Sequence, residues 1–190
     1  YPVDQVVWVR HSRLQDYAPQ AWAKAVVDLI HARKPDMVMA AATDRGSEVM
    51  SHAGALTDLP LAANCTDVQP GPPCQVTRLR WGGSLLEQAI LEGEPKLLTV
   101  GLHVFEALEP GQPAGTEVQA FEPTLTEAEF QVRLTERQAI ETEGVTLKTA
   151  PVVVGGGRGV GSADGYQVLE ELAGLLGGAV GGSRVATNNG

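Results

Sequence analysis

Between Val152 and Ser162 the sequence reads VVVGGGRGVGS, five glycines set around one arginine directly after three valines. Glycines let a backbone bend sharply and bring its N–H groups close to an anion. A helix starting after such a loop adds partial positive charge. Arg158 supplies a permanent cation with five donors, suited to phosphate or to an electron-rich ring carbonyl. Two familiar templates do not fit. A dinucleotide fingerprint needs glycines at i, i+2 and i+5, but counting from Gly155 the third position is Val160, and from Gly157 it is Ser162. A P-loop needs Gly-Lys followed by Ser or Thr, and the chain has no Gly-Lys pair. Read alone, the loop is either a ligand site or a tight turn whose arginine is solvated or paired with a carboxylate such as Glu170.

A second glycine-led arginine follows. GGSRV, Gly181–Val185, ends the next strand-like run and sets Ser183 beside Arg184. Consecutive parallel strands present their C-terminal ends on one edge, where α/β proteins bind ligands. Arg158 and Arg184 are therefore expected to converge on one crevice. Two arginines and a hydroxyl over glycine-lined space suit a polyanionic or redox-active cofactor.

The elements that must position these residues follow from hydrophobic periodicity. Asp4–His11 reads as a strand. A helix follows, for which Asp16 is a candidate cap; Trp22, Val26, Leu29 and Ile30 form its apolar stripe, and Pro35 marks its end. Asp36–Thr43 is an unbroken apolar run, as in a strand covered on both faces. The next helix carries Val49, Met50, Ala53 and Leu56 on one side, and Leu61–Val68 is another strand. This alternation argues for an α/β layer with parallel strands. After Gly71 the texture changes: Gln75–Ser84 alternates and ends at Trp81-Gly82-Gly83, read as a strand end. Lys96–Val100 is a buried strand. Thr116–Pro123 and Glu129–Gln138 are further strand-like segments, the second alternating Phe130, Val132 and Leu134 with polar residues. Glu122, Glu127, Glu129, Glu136, Glu141 and Glu143 read as a solvated acidic face. From Leu147 a strand, the glycine loop, a helix lined by Val168, Leu169, Leu172, Leu175 and Leu176, and a strand running into a loop make one βαβ unit, too small to fold alone.

Composition narrows the function classes. A net charge of −9 and a pI near 4.9 argue against nucleic acid or an anionic membrane, which want a basic footprint. No apolar run reaches membrane-spanning length. Cys65 and Cys74, separated by eight residues, form neither a disulfide framework nor a CxxC pair, and His11, His31, His52 and His103 have no metal-motif spacing. Neither a metal nor a catalytic constellation is expected. No secretory segment opens the chain, so a cytoplasmic setting is the expectation. The chain starts without methionine at YPVDQVVWVR and stops at RVATNNG, and is expected to be a piece of something longer.

The last forty residues, PVVVGGGRGVGSADGYQVLEELAGLLGGAVGGSRVATNNG, closely resemble the start of the FAD-binding domain of the electron transfer flavoprotein alpha subunit. KPDMVMAAATDRGSEV, ANCTDV, RWGGS and PKLLTV are similar, more loosely, to that family's N-terminal domain. The resemblance implies a layered α/β/α sheet domain over 1–146, of the adenine nucleotide alpha hydrolase-like kind, contacting a beta subunit. It implies that 147–190 begin a Rossmann-like FAD-binding domain. It further implies a heterodimer that relays electrons from flavin dehydrogenases toward a quinone reductase and the respiratory chain. Carried over residue by residue, Arg158 and Ser183 contact FAD, Gly157 and Gly159 allow close backbone approach, and Arg184 lies over the flavin ring and lends it charge. A fixed cation beside a ring that gains negative charge raises its potential. The family's later flavin loops do not occur in the chain, so the FAD site is expected to be incomplete within it. The competing expectations are a non-redox assembly module of the same fold with an empty flavin site, and an adenylating enzyme, whose Ser-Gly-Gly-x-Asp-Ser loop is absent.

Overall fold

The computed structural model describes residues 3–106, 116–136, 138, 146, 147 and 149–187. Contacts divide the chain into two compact units, Tyr1–Glu136 and Arg137–Gly190.

In the first unit, β1 (Val6–Val9) leads to α1 (Pro19–Arg33), β2 (Met37–Ala41), α2 (Asp44–Thr57) and β3 (Leu61–Gln69). The antiparallel hairpin β4 (Gln75–Arg80) and β5 (Leu85–Ile90) follows, then β6 (Lys96–Val100) and β7 (Val118–Phe121). β1 and β7 form a parallel pair of their own, and the main sheet runs β2-β6-β3-β4-β5. The expected parallel alternation holds for β2, β6 and β3. The change of texture after Gly71 marks where the sheet turns antiparallel, through β4 and β5. The class is α/β, a multi-stranded sheet flanked by helices.

Burial follows position in the sheet more than the apolar run of a strand. β2 is an edge strand, and Met39 is 60% exposed, so the expectation of cover on both faces fails there. That cover belongs to β6, the interior neighbour of β2, where Leu97, Leu98 and Thr99 are fully buried. Leu97 packs with Ile30 of α1 and Met50 of α2. Leu98 lies in a second cluster with Ala62, Cys65, Cys74, Val76 and Leu91. Both cysteines are free and buried, and burial pushes the Cys65 thiol up.

α1 differs from its expected stripe. Ala21, Ala23, Ala25 and Val27 are buried along with Ile30, while Trp22 reaches the surface and meets the edge of Tyr17. The helix is covered on several sides because Ala23 and Val27 face Val49 and Ala53 of α2, while Ala18 and Ala21 face Phe130. Asp16 does not cap it. Ala18 holds the N-cap position with no side-chain bond, and Pro19 starts the helix, where its missing N–H costs nothing. Lys34, in a left-handed conformation, ends it. In α2 the Thr43 hydroxyl accepts from Gly46 N–H at 3.0 Å. A Cβ at Gly46 would lie 2.0 Å from the Ala41 carbonyl oxygen, so this close approach of helix to strand requires glycine. Leu56 is exposed and leaves the expected apolar face of α2 to Val49, Met50 and Ala53.

The described residues of the segment from Glu129 to Gln138 form no strand. Glu127–Phe130 forms a 3₁₀ turn, because Thr126 and Glu129 cap it reciprocally. The Glu129 carboxylate accepts from the Thr126 backbone N–H at 2.6 Å and from its hydroxyl at 2.8 Å. Phe130 is buried against α1, with the Arg13 guanidinium 3.8 Å from its ring centre and paired to Glu127 at 2.9 Å. Two of the acidic residues are therefore structural, while Glu141 and Glu143 lie outside the described residues. Trp81 is 81% exposed, in a turn at the tip of the β4–β5 hairpin where Trp81, Gly82 and Gly83 all take positive φ.

In the second unit, β8 (Val153–Gly156) and β9 (Ala179–Gly182) pair in parallel, joined through α3 (Gln167–Leu175). Ser183 then leads into α4 (Arg184–Thr187), a short helix where a loop was expected. Gly177 and Gly178 stop α3 by donating to the Gly174 and Ala173 carbonyls at 3.2 and 2.8 Å, a Schellman closure.

Replacing Leu97 by Ala should cost about 2–5 kcal/mol, because it opens a cavity under both helices; urea unfolding reads the loss. The Glu129 carboxyl is held below its usual range, first by the Thr126 backbone N–H and then by the Thr126 hydroxyl. A depressed carboxyl stabilises the fold above its unfolded value, about 4.3, and that contribution is lost as pH falls through the folded value. The stability advantage of the native chain over Glu129→Gln should therefore be present at pH 7 and shrink below about pH 4. A gap that does not change with pH would refute the assignment.

Candidate functional site

The site residues lie at the C-terminal ends of β8 and β9. Register pairs Val153 with Ala179, Val154 with Val180, Gly155 with Gly181 and Gly156 with Gly182. Both strands thus finish at the same level on two glycine rungs. One further bond ties the edge: Ser183 N–H donates to the Gly156 carbonyl at 3.0 Å. Beyond β8, Arg158–Val160 forms a 3₁₀ turn, closed by Val160 N–H to Gly157 O at 3.0 Å and Gly161 N–H to Arg158 O at 3.2 Å. This turn packs against α4, which Arg184 opens. The two arginine-bearing segments follow the ends of adjacent parallel strands, but of the two arginines only Arg158 is among the residues that line the cavity there.

A cavity of about 600 Å³ opens at this edge, lined by Gly157, Arg158, Ser162, Tyr166, Glu170 and Gly182 among others. Gly157 and Arg158, both expected site residues, line it directly; Gly159 lies within the adjoining turn, and Ser183 and Arg184 follow the strand that forms its other wall. Arg158 is exposed, and no ion pair among the described residues joins it to Glu170. The Ser183 hydroxyl accepts from Ala186 N–H at 3.3 Å, which leaves its own proton free to donate.

Two observations test whether this edge fits a dinucleotide. A Cβ at Gly157 or Gly159 would meet no atom within 4 Å, and the φ of −119° at Gly157 is open to any residue. Neither packing nor backbone strain explains glycine at 157. The backbone there is open to a group lying against it. The second is a polar atom, the Tyr166 hydroxyl, which is buried with no hydrogen-bond partner among the described residues. Gly156 is a glycine for a different reason, since a Cβ there would lie 2.5 Å from the Tyr166 ring.

The profile of the electron transfer flavoprotein domain matches residues 1–126, and that of the electron transfer flavoprotein FAD-binding domain matches residues 146–190. The chain belongs to the electron transfer flavoprotein family. It is 32% identical to the Protein FixB of Clostridium saccharobutylicum, over 98% of this chain and 57% of that protein. It is 32% identical to the electron transfer flavoprotein subunit alpha of Megasphaera elsdenii, over 94% of this chain and 54% of that one. The Mycobacterium leprae electron transfer flavoprotein subunit alpha is 35% identical, with 92% of this chain and 55% of that protein covered. The chain spans about half the length of the curated relatives it matches.

Tyr166 was not among the residues singled out from sequence. Its place in ADGYQVLEEL carries no motif, and the helix expected to start near Ala163 begins as an α-helix only at Gln167, after a 3₁₀ turn over Asp164–Tyr166. Among the described residues no cluster of His, Cys, Asp and Glu could hold a metal ion, and no helix is long and apolar enough to cross a membrane.

Gly157→Ala should separate ligand space from packing. The unliganded protein should unfold within about 0.5 kcal/mol of the native chain, because the added methyl meets nothing. FAD content after purification of the complete protein should fall severalfold. Full flavin content would mean that the loop is only a turn.

Proposed function

We propose that this chain is the alpha-subunit portion of an electron transfer flavoprotein, holding FAD at the glycine-rich ends of β8 and β9. The observation that carries this reading is the meeting, at one strand edge, of the Gly157-Arg158-Gly159 turn and the Ser183-Arg184 strand end, inside the segment that matches the family's FAD-binding domain. Residues 1–146 serve as the contact domain for a beta subunit, and 147–190 begin the flavin domain. The heterodimer takes electrons from flavin dehydrogenases and passes them to a quinone reductase, in the cytoplasm, with no substrate transformation of its own.

FAD, when bound, supplies reversible one- and two-electron chemistry. The protein's residues bind, orient and tune it. The Gly157 and Gly159 backbone admits the cofactor closely, Arg158 offers its donor fork to anionic oxygens, and the Ser183 hydroxyl donates from the neighbouring strand. Arg184 places a fixed charge that favours the reduced, more negative cofactor.

The test is to purify the complete protein with a beta subunit and record its visible spectrum. A flavin spectrum at one FAD per heterodimer supports the reading; a colourless heterodimer overturns it in favour of an assembly module. Arg184→Ala should then shift the flavin midpoint to more negative values by tens of millivolts, as loss of a fixed charge in a partly buried site requires. An unchanged redox titration would count against that role.

A further inference from the structure

We propose that the outer edge of β5 is a self-association surface, on which a second copy of this chain seats its own β5 across a two-fold axis at Gln88. The inference stands apart from the flavin reading, since it rests on the first unit alone.

The backbone sets the first condition. β5 ends the order of the five-stranded sheet, so among the described residues no strand pairs with its outer side. Hydrogen bonding alternates along an antiparallel strand, and Leu91 N–H donates to the Cys74 carbonyl at 2.9 Å. The odd-numbered residues of β5 therefore bond inward to β4, and Leu86, Gln88 and Ile90 turn their N–H and C=O groups outward. Native edges are commonly guarded by lysine, proline or a bulge. The six residues of β5, LLEQAI, include neither lysine nor proline, and their register with β4 runs unbroken from Gln75–Ile90 to Arg80–Leu85. The one charge in the strand, Glu87, is already engaged by Arg78 and Arg80, each at 3.0 Å.

The side chains select the register, and with it the occupant. A two-fold axis at Gln88 pairs outward-bonding residues with outward-bonding residues. It sets Leu86 of one protomer opposite Ile90 of its partner, twice, and Gln88 opposite Gln88. Leu86 is 69% and Ile90 61% exposed, so both pairs remove apolar surface from water. Glu87 then stands opposite Ala89. An axis at Glu87 would set the two glutamates face to face, which is destabilising, and an axis at Ala89 would set Leu86 opposite Glu92. The edge is thus self-complementary in one register, in its apolar pairs and in its charge, as a contact between identical surfaces requires.

The ends of the strand enlarge the contact. Pairing over six residues, about 20 Å of strand, falls short of the roughly 1,200 Å² that a stable interface buries in total. The same axis brings the β4–β5 tip, with its exposed Trp81, level with the turn that follows β5 in the other protomer. A cavity of about 800 Å³ opens at that turn, lined by Pro70, Pro72, Pro73, Ile90 and Leu91 among others. An aromatic side chain at one end of the edge and an apolar recess at the other are used twice by a two-fold axis.

The experiment measures the mass of the complete protein by light scattering over a range of concentrations, alone and with a beta subunit. The native chain alone should pass from one protomer to two as concentration rises. Leu86→Lys and Ile90→Lys, at exposed positions, should each weaken dimerisation more than about tenfold, because each removes two symmetry-related apolar pairs. Gln88→Cys should form a disulfide between protomers when oxidised glutathione is added, since residues of a hydrogen-bonded pair lie about 5.5 Å apart. Thr77→Cys, one strand inward on the same face, should not. A mass of one protomer up to about 100 µM, with no Gln88→Cys cross-link, would overturn the proposal. A dimer unchanged by both lysine variants would overturn it too, because another face would then be in use. If a beta subunit dissolves the dimer and Leu86→Lys weakens its binding, the edge belongs to the beta subunit and self-association is refuted.

Discussion

The site depends on one constraint, the register of two short parallel strands. With Gly156 opposite Gly182 and Gly155 opposite Gly181, the last two rungs of the ladder carry no side chains on either face. Parallel strands joined by a crossover bring their C-terminal ends to the same edge. The segment after each strand therefore starts from the same level. A slip of one residue would exchange the faces of every side chain and set a valine beside a glycine at the strand edge. The Ser183 N–H to Gly156 O bond extends the ladder one step past the glycines and sets where Arg184 begins its helix.

Glycines weaken a strand, since they contribute no packing and more chain entropy. Among the described residues of the second unit, few side chains are buried. Ala173 is the one residue of α3 that is buried, and Val168, Leu172, Leu175 and Leu176 of the expected apolar face are exposed. A two-strand sheet offers too narrow a face to cover a nine-residue helix. Its order within the described residues comes from the backbone: the ladder, the Schellman closure, and the approach of Gly178 to Val152, where a Cβ would come within 2.3 Å of a carbonyl oxygen. The first unit is built the other way, on β6 with Leu97, Leu98 and Thr99 fully buried between two side-chain clusters.

What the sequence disclosed follows from how strongly each residue type signals its environment. Strand and helix existence was legible through β2, α2, β3 and β6, where apolar residues recur at clear periods. Which strand lay inside was not legible, because Met37–Ala41 is as apolar as Lys96–Val100, and sheet order is decided by long-range pairing. The burial of Ala21, Ala23 and Ala25 escaped notice because a small side chain is tolerated on either face of a helix. Phe130, Val132 and Leu134 imitate a strand at period two, and the capping pair Thr126 and Glu129 overrides them locally. At the site, Arg158, Ser183 and Arg184 stood out through glycine spacing. Tyr166 did not, since the close contact that makes Gly156 a glycine exists only once the loop is folded.

The fold also sets this arginine-bearing glycine loop apart from phosphate loops that rely on a helix. In those loops the helix N-terminus follows at once, and its partial positive charge falls off within the first turn. Here the α-helical part begins at Gln167, nine residues after Arg158, with two 3₁₀ turns between. Its N-cap residue, Tyr166, has no side-chain cap, and its first turn contains Glu170, whose carboxylate offsets the dipole on the cavity side. The helix end therefore adds little net positive charge at the strand edge. An anion bound there would take its counter-charge from the turn itself, where Arg158 holds the first position. The two glycine templates describe loops whose charge comes from helix geometry or a P-loop lysine, whereas here arginines stand in the segments that follow two registered strands.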